Sequence, residues 1–170
     1  WTASELLSAQ GFLHTMPSKQ RTLRVPLAGG HQLTNLATAI ASVAVMVTAG
    51  FSISYHDITA GVASTRWPAR FQVTEGDPTV VYDAGHNADG ASAIVATWRQ
   101  EFGRKRCVSV FNTRPDKNHA EMLSKLSGIT STWVFCPMPA SPCISRDDLF
   151  ALAKKHNQTA TSCDTPGAAM

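Results

Sequence analysis

The sequence predicts an α/β fold of Rossmann-like type, a mostly parallel sheet with helices on both faces, preceded by a helical segment. Two observations predict it. From Phe71 onward, short apolar runs alternate with stretches of helical character, and such alternation builds an open parallel sheet. Before Pro68, small apolar residues instead dominate one long stretch, residues 32–48, without the spacing of a strand.

The elements follow in order. Residues 23–27 (LRVPL) predict a short edge strand, because Pro26 removes a ladder donor from any central one. Gly29-Gly30 breaks the chain, and a helix runs from about Gln32 to Thr48 with Gly50 as its C-terminal cap. Ser54 opens a second helix to about Ser64, with Asp57 in the first turn, where a carboxylate meets the helix dipole favourably. Arg66-Trp67-Pro68 ends it, since the residue before a proline is pushed out of the helical region.

The domain boundary is therefore expected at Trp67, giving residues 1–66 and 67–170. Beyond it, residues 71–73 and 79–82 read as strands around the turn Glu75-Gly76-Asp77-Pro78. A helix is expected over residues 89–102. Cys107–Phe111 (CVSVF) follows as a strand whose nearly continuous apolar run marks it as buried. A helix over 119–127, a strand over 132–136, a helix over 145–156 capped by Ser145, and a strand over 159–162 complete the pattern.

Bulk properties narrow the function. A length of 170 residues suits one domain, or a domain with a piece of its neighbour. With 44% hydrophobic and 16% charged residues the chain is of globular composition, not disordered. A net charge of +3 suits an anionic small molecule, but there is no Lys/Arg block dense enough to favour nucleic acid. The most apolar run, residues 36–47, is too short for a bilayer, and no membrane partner is expected. Cys107, Cys136, Cys143 and Cys163 show no CxxC and no metal spacing, so reduced thiols in a cytoplasmic protein are the expectation. Trp1 at the start and Pro166 to Met170 at the end both read as cuts in a longer chain.

Four clusters are candidates for chemistry. Asp83-Ala84-Gly85-His86-Asn87 follows a strand and enters a helix. In open α/β sheets ligands sit outside the carboxyl ends of the strands, an Asp there can accept from ribose hydroxyls, and a helix N-terminus favours phosphate. The same residues also fit a plain helix cap. Arg66-Trp67-Pro68-Ala69-Arg70-Phe71 sets Arg70 on a rigid connector, where a guanidinium gives forked hydrogen bonds to phosphate or is simply solvated. Gln32 and Asn35, three apart on one helical face, offer amides that can read an adenine edge or cap the helix. Asn112-Thr113-Arg114-Pro115-Asp116-Lys117 is expected on the same sheet edge as Asp83. The histidines form no set with metal-ligand spacing, and no metal site is assigned within these residues.

Taken in register, these clusters resemble the folylpolyglutamate synthase / dihydrofolate synthase family, relatives of the Mur ligases. That family shows G-x-HQ-x-x-N-A, then WPGR-F, then a strand ending DGAHN, then a loop containing DK. Here they are matched by Gly29-Gly30-His31-Gln32-Leu33-Thr34-Asn35, Trp67-Pro68-Ala69-Arg70-Phe71, Asp83-Ala84-Gly85-His86-Asn87 and Asp116-Lys117. The resemblance covers roughly residues 25–128 well. Three positions depart from it: Ala69 stands for glycine, Leu36 for alanine, and Ala84-Gly85 reverses Gly-Ala. The reversal is expected to matter most, because it moves the one residue that tolerates φ > 0.

The resemblance implies an ATP-dependent amide ligase. ATP phosphorylates a folate or dihydropteroate carboxylate, and the amine of glutamate attacks the acyl phosphate while Mg²⁺ neutralises charge. It further implies that residues 1–66 end the central ATPase domain and that 67–170 belong to a C-terminal Rossmann-like domain. Gln32 and Asn35 would face adenine, Arg70 the phosphates, and Asp83 the ribose. His86 and Asn87 would lie beside the reacting phosphate and the amino acid, with Asp116 and Lys117 near substrate; His86 and Arg70 are the catalytic candidates. The magnesium ligands and the P-loop would lie mainly in a preceding domain, since G-x-x-x-x-G-K-[ST] does not occur in this sequence. The alternatives are another Mur-type or cyanophycin-type amide ligase, and a non-catalytic Rossmann-like module that binds a nucleotide or a partner.

Overall fold

The computed structural model describes residues 23–138 and 142–169. They fall into two compact units, one ending at Asp83 and one beginning at Ala84.

In the first unit, α1 (His31–Thr48) starts directly after Gly30, with no side-chain cap. It ends at Ala49, and Gly50 takes φ 97°, a left-handed conformation that glycine adopts without a Cβ penalty. Helix α2 (Tyr55–Ser64) opens with a reciprocal capping box: Asp57 N–H donates to Ser54 Oγ at 3.2 Å, and Ser54 N–H to Asp57 Oδ2 at 2.8 Å.

Strands β1 (Gln72–Thr74) and β2 (Val80–Tyr82) then pair antiparallel, with Val73 opposite Val81. This corrects two expectations. The strand leading to Asp83 is half of a hairpin and only partly buried, not a buried member of the parallel sheet. The physical reason is the short link through Gly76 and Pro78. It can join antiparallel neighbours, whereas a parallel pair needs a crossover of a dozen or more residues. The edge strand expected at residues 23–27 does not form; that stretch carries no ladder.

The second unit carries the parallel sheet. Its order is α3 (Ala88–Phe102), β3 (Cys107–Phe111), α4 (His119–Leu126), β4 (Thr130–Phe135), α5 (Arg146–Lys155), β5 (Thr159–Ser162) and a closing 3₁₀ turn (Pro166–Ala169). The strands lie in the order β3-β4-β5, all parallel, with Trp133 beside Ser109 and Ala160. The fold class is α/β, as the alternation predicted.

Two helical crossovers stepping in one direction place α4 and α5 on one face. That face holds the core: Trp133 and Phe135 are fully buried against Leu123 and Met122 of α4, Leu149 of α5 and Ala91 of α3. The Trp133 ring meets Phe111 edge-on at 5.7 Å, and its Nε1–H donates to Gln158 Oε1 at 2.6 Å. Gln158 in turn donates to Thr130 O at 2.7 Å, so the indole dipole is satisfied inside the core.

The other face is open at β3, where Val108 is 58% and Val110 43% exposed. The apolar run of β3 is thus only partly buried, and on one side, because the helices of this unit gather on the opposite face.

Candidate functional site

The antiparallel register builds the first part of the site. Gln72 faces Tyr82, so the next positions outward are Phe71 and Asp83. There Phe71 N–H donates to Asp83 Oδ2 at 2.8 Å. Phe71 is buried at 3% exposure and has φ 46°, and Ala69 has φ 55°. The Trp67–Phe71 segment therefore holds two non-glycine residues in left-handed backbone, secured at Phe71 by the Asp83 carboxylate. Ala69 N–H is secured by Gln72 Oε1 at 3.0 Å. Between the two, the Arg70 guanidinium lies 5.0 Å from the centre of the Trp67 ring, a cation–π contact on a half-exposed indole.

The reversed pair Ala84-Gly85 does not behave as expected. Neither residue has a positive φ. Neither position of this pair therefore requires glycine for its φ. The departure that meets left-handed backbone is Ala69.

At the start of α1, Gln32 is buried at 3% exposure, and its Oε1 accepts from Asn35 Nδ2 at 2.9 Å. Its Nε2 lies 3.0 Å from His31 Nε2. The two amides share a face, as their spacing predicted, but they bind each other. Asn35 is the exposed member.

In the second unit, Asn87 caps α3, its Oδ1 accepting from Gly90 N–H at 2.7 Å. His86 is exposed, with Nδ1 3.3 Å from Ala84 O. A Cβ on Gly90 would come within 3.2 Å of Gly85 Cα and 3.1 Å of Asn87 Oδ1, so this turn packs backbone on backbone.

The loop after β3 places Asp116 between Arg114 Nε at 2.9 Å and Lys117 Nζ at 3.2 Å. The hydrogen bond from Arg114, then that from Lys117, holds the Asp116 carboxyl below its ordinary range. Because β2 lies outside the parallel sheet, this loop and Asp83 do not end strands of one sheet, contrary to expectation.

The first two residues of this cluster, to which the sequence assigned no individual role, root the loop. Asn112 Nδ2 donates to Cys136 O at 2.6 Å, tying the ends of β3 and β4 together. Buried Thr113 accepts at its carbonyl from Ile144 N–H at 3.0 Å. Their signal is the change from apolar strand to Asn-Thr at the carboxyl end of β3.

Among the described residues, no group of three or more His, Cys, Asp or Glu is placed to hold a metal ion. None of the described helices is long and apolar enough to cross a membrane.

Comparison with known proteins gives this arrangement its context. The chain is 31% identical over 121 residues to folylpolyglutamate synthase of Lacticaseibacillus casei, a match covering 71% of this chain and 28% of that protein. Its structure is similar to that of Mycobacterium tuberculosis folylpolyglutamate synthase complexed with ADP, with TM-score 0.75 and 28% identity. That match covers 84% of this chain and 32% of the other. It is also similar to a bifunctional folylpolyglutamate synthase/dihydrofolate synthase with Mn, AMPPNP and L-glutamate bound, with TM-score 0.68 and 27% identity over 89% of this chain and 35% of that one. The chain thus spans about a third of the length of the proteins it matches. Residues 69–170, more than half of the sequence, match the family described as Mur ligase, glutamate ligase domain, and the chain belongs to that family.

Proposed function

We propose that this chain supplies about a third of an ATP-dependent acid–amino-acid ligase that adds glutamate to folates, with dihydropteroate as a further acceptor. The observation that carries the proposal is the Asp83–Phe71 hydrogen bond, because it makes one structure of two motifs that the sequence separates by eleven residues. The relatives' ligands, ADP in one structure and Mn, AMPPNP and L-glutamate in another, fit the same chemistry.

The residues present suit parts of a nucleotide. Asn35 offers an exposed amide, and the Arg70 guanidinium, held over Trp67, is a fixed donor for phosphate oxygens. Gln32 suits it less well, being buried and bonded to Asn35, so its role is to orient that amide. Asp83, whose carboxylate accepts from Phe71 N–H, is a hydrogen-bond acceptor of the kind that meets ribose hydroxyls. Asn87 and His86 stand at the start of α3, where a helix dipole favours an anionic group. Mg²⁺ would supply charge neutralisation at the phosphates, although no cluster among the described residues is placed to hold it. The unit boundary at Asp83 places Gln32, Asn35, Arg70 and Asp83 in one unit and His86, Asn87, Asp116 and Lys117 in the other. The assignment of residues 1–66 to the end of an ATPase domain, and of a cytoplasmic location, belongs to this same reading.

The test is a chimera in which this chain replaces the matching segment of the M. tuberculosis relative. ATP-dependent incorporation of labelled glutamate into a folate acceptor is expected. A folded chimera that binds ADP but transfers no glutamate to any folate would overturn the reading. The 170-residue chain alone is expected to show no ligation, because it contains no P-loop sequence.

A further inference from the structure

Three of the four cysteines lie around the carboxyl ends of β4 and β5. Strand β4 ends at Phe135 and β5 at Ser162, and these two residues are register partners in a parallel ladder. Cys163 N–H donates to Phe135 O at 3.1 Å, the bond that closes this last pair of the ladder. Cys136 and Cys163 are the next residues along these two adjacent strands, and the Cys163 thiol lies close enough to act on the Cys136 thiol. Neighbouring strands lie about 4.8 Å apart. That separation falls inside the span of about 4.4–6.8 Å between Cα atoms that a disulfide bridges without backbone movement. All three thiols, with Cys143 on the segment that leads into α5, are free.

The surroundings differ between the two partners. Cys136 is 5% exposed, whereas Cys163 is half-buried and open to solvent. Burial pushes the Cys136 thiol up, and the adjacent Cys163 and Cys143 thiols push it in the same direction. Cys136 is thus poorly suited to meet an oxidant first. Cys163 is accessible, with its Sγ 3.2 Å from Thr165 O in the turn beyond β5.

We infer that Cys163 and Cys136 form a site of reversible thiol oxidation, in which a hydroperoxide converts the pair to a cross-strand disulfide. In the first step the Cys163 sulfur takes one oxygen from the hydroperoxide, its O–O bond breaks, and water or an alcohol leaves. In the second step the Cys136 sulfur attacks the Cys163 sulfenic acid. The S–S bond forms, the S–O bond breaks, and the Cys136 proton leaves with the hydroxyl as water. Two thiols are oxidised by two electrons and one hydroperoxide is reduced, so the step balances. An external dithiol restores the pair.

The position gives the modification a consequence. The carbonyl of Cys136 accepts the hydrogen bond from Asn112 that roots the loop carrying Asp116 and Lys117. Arg146 Nη2 likewise donates to Cys163 O at 3.2 Å and to Asp164 Oδ1 at 3.0 Å. A disulfide here joins the anchor of that loop to the end of β5.

The test treats the full 170-residue chain with hydrogen peroxide, blocks residual thiols, and maps linked peptides without reductant. The expected product joins Cys136 to Cys163, leaves Cys107 alkylatable, and returns to free thiols with dithiothreitol. In guanidinium the selectivity is expected to disappear in favour of Cys136–Cys143, which closes the shorter loop. Cys163→Ser is expected to abolish the native link and Cys143→Ser to leave it in place. A native product dominated by Cys136–Cys143, or retention of both Cys136 and Cys163 as free thiols after Cys107 has oxidised, would overturn the inference.

Discussion

The Asp83 carboxylate accepts a hydrogen bond from the backbone N–H of Phe71 at 2.8 Å, at a buried residue whose φ is 46°. This contact carries a structural load as well as its proposed part in ribose binding. Removing the acceptor leaves a buried N–H to find another partner, which costs about 1–3 kcal/mol. Asp83→Ala is therefore expected to lower stability by about that amount. Asp83→Asn, which keeps a neutral oxygen, should lose about half as much, since charge-assisted bonds are roughly twice as strong. Urea unfolding of the two variants measures both. Equal losses would show that the charge contributes nothing.

Ala69 occupies a position where φ is 55°. A left-handed conformation costs an L-residue about 1–2 kcal/mol, and glycine escapes it. Glycine also gives the unfolded chain more freedom, which offsets about 0.4–1 kcal/mol. Ala69→Gly is thus expected to stabilise the chain by roughly 0.5–1 kcal/mol, the difference of those two terms. Ala69→Val, with its branched Cβ, should destabilise. Denaturant midpoints at equal m-value decide the sign.

The turn into α3 is defined by Asn87 and Gly90. Asn87→Ala removes the cap on Gly90 N–H and is expected to cost about 1 kcal/mol. Asn87→Asp keeps an acceptor and adds a charge suited to the helix N-terminus, so stability should hold or rise slightly. Gly90→Ala drives a Cβ to 3.2 Å from Gly85 Cα, which is backbone and cannot swing away. It should destabilise by about 1–3 kcal/mol, within the range for overpacking. Thermal melts of the three variants give the order.

Much of this was legible in the sequence, and the illegible part has a common cause. Helices α2 and α5 announced themselves through Ser54 and Ser145, whose side chains cap as their residue types predict. Strand β3 was found at its observed bounds, because a five-residue apolar run flanked by polar residues is a local signal. What periodicity does not carry is the identity of a strand's neighbour. Val80–Tyr82 reads as a strand in any sheet, and only the short link to β1 shows that it belongs to a hairpin. The exposure of Val108 and Val110, the closure of Gln32 onto Asn35, and the Phe135–Ser162 register are equally non-local. The four motifs could be aligned in order, but their backbone geometry could not. Motif comparison points to Ala84-Gly85 as the costly departure, whereas the left-handed residue is Ala69.

Acid should act through the capping box as well as through the Asp116 ion pairs. The side-chain hydrogen bond from Ser54, and then its backbone N–H, hold the Asp57 carboxyl below its ordinary value. The folded form thus binds its proton less readily than the unfolded form. The stabilising contribution is present above the ordinary carboxylate range and is lost as the pH falls through the lower, folded value. Ser54→Ala is expected to return Asp57 toward its unfolded value and to flatten that part of the acid limb. Carboxyl titration by NMR reads the first effect, and denaturation as a function of pH the second. An unchanged Asp57 titration in Ser54→Ala would remove the capping box as the cause.

His86 separates binding chemistry from architecture most cleanly. Its ring is exposed and lies 3.3 Å from Ala84 O in a short local contact. Exposed substitutions of this kind usually change stability by no more than about 0.5 kcal/mol. If His86 stands beside the reacting phosphate, His86→Ala in the chimeric ligase should lower kcat by about 10², the loss typical of one transition-state donor. His86→Gln, which keeps a donor of different reach, should recover part of it. The melting temperature should stay the same in all three proteins. A fall in activity matched by a fall in stability would assign His86 to the fold. Full activity in a stable His86→Ala protein would remove it from the site and leave Arg70 as the remaining catalytic candidate.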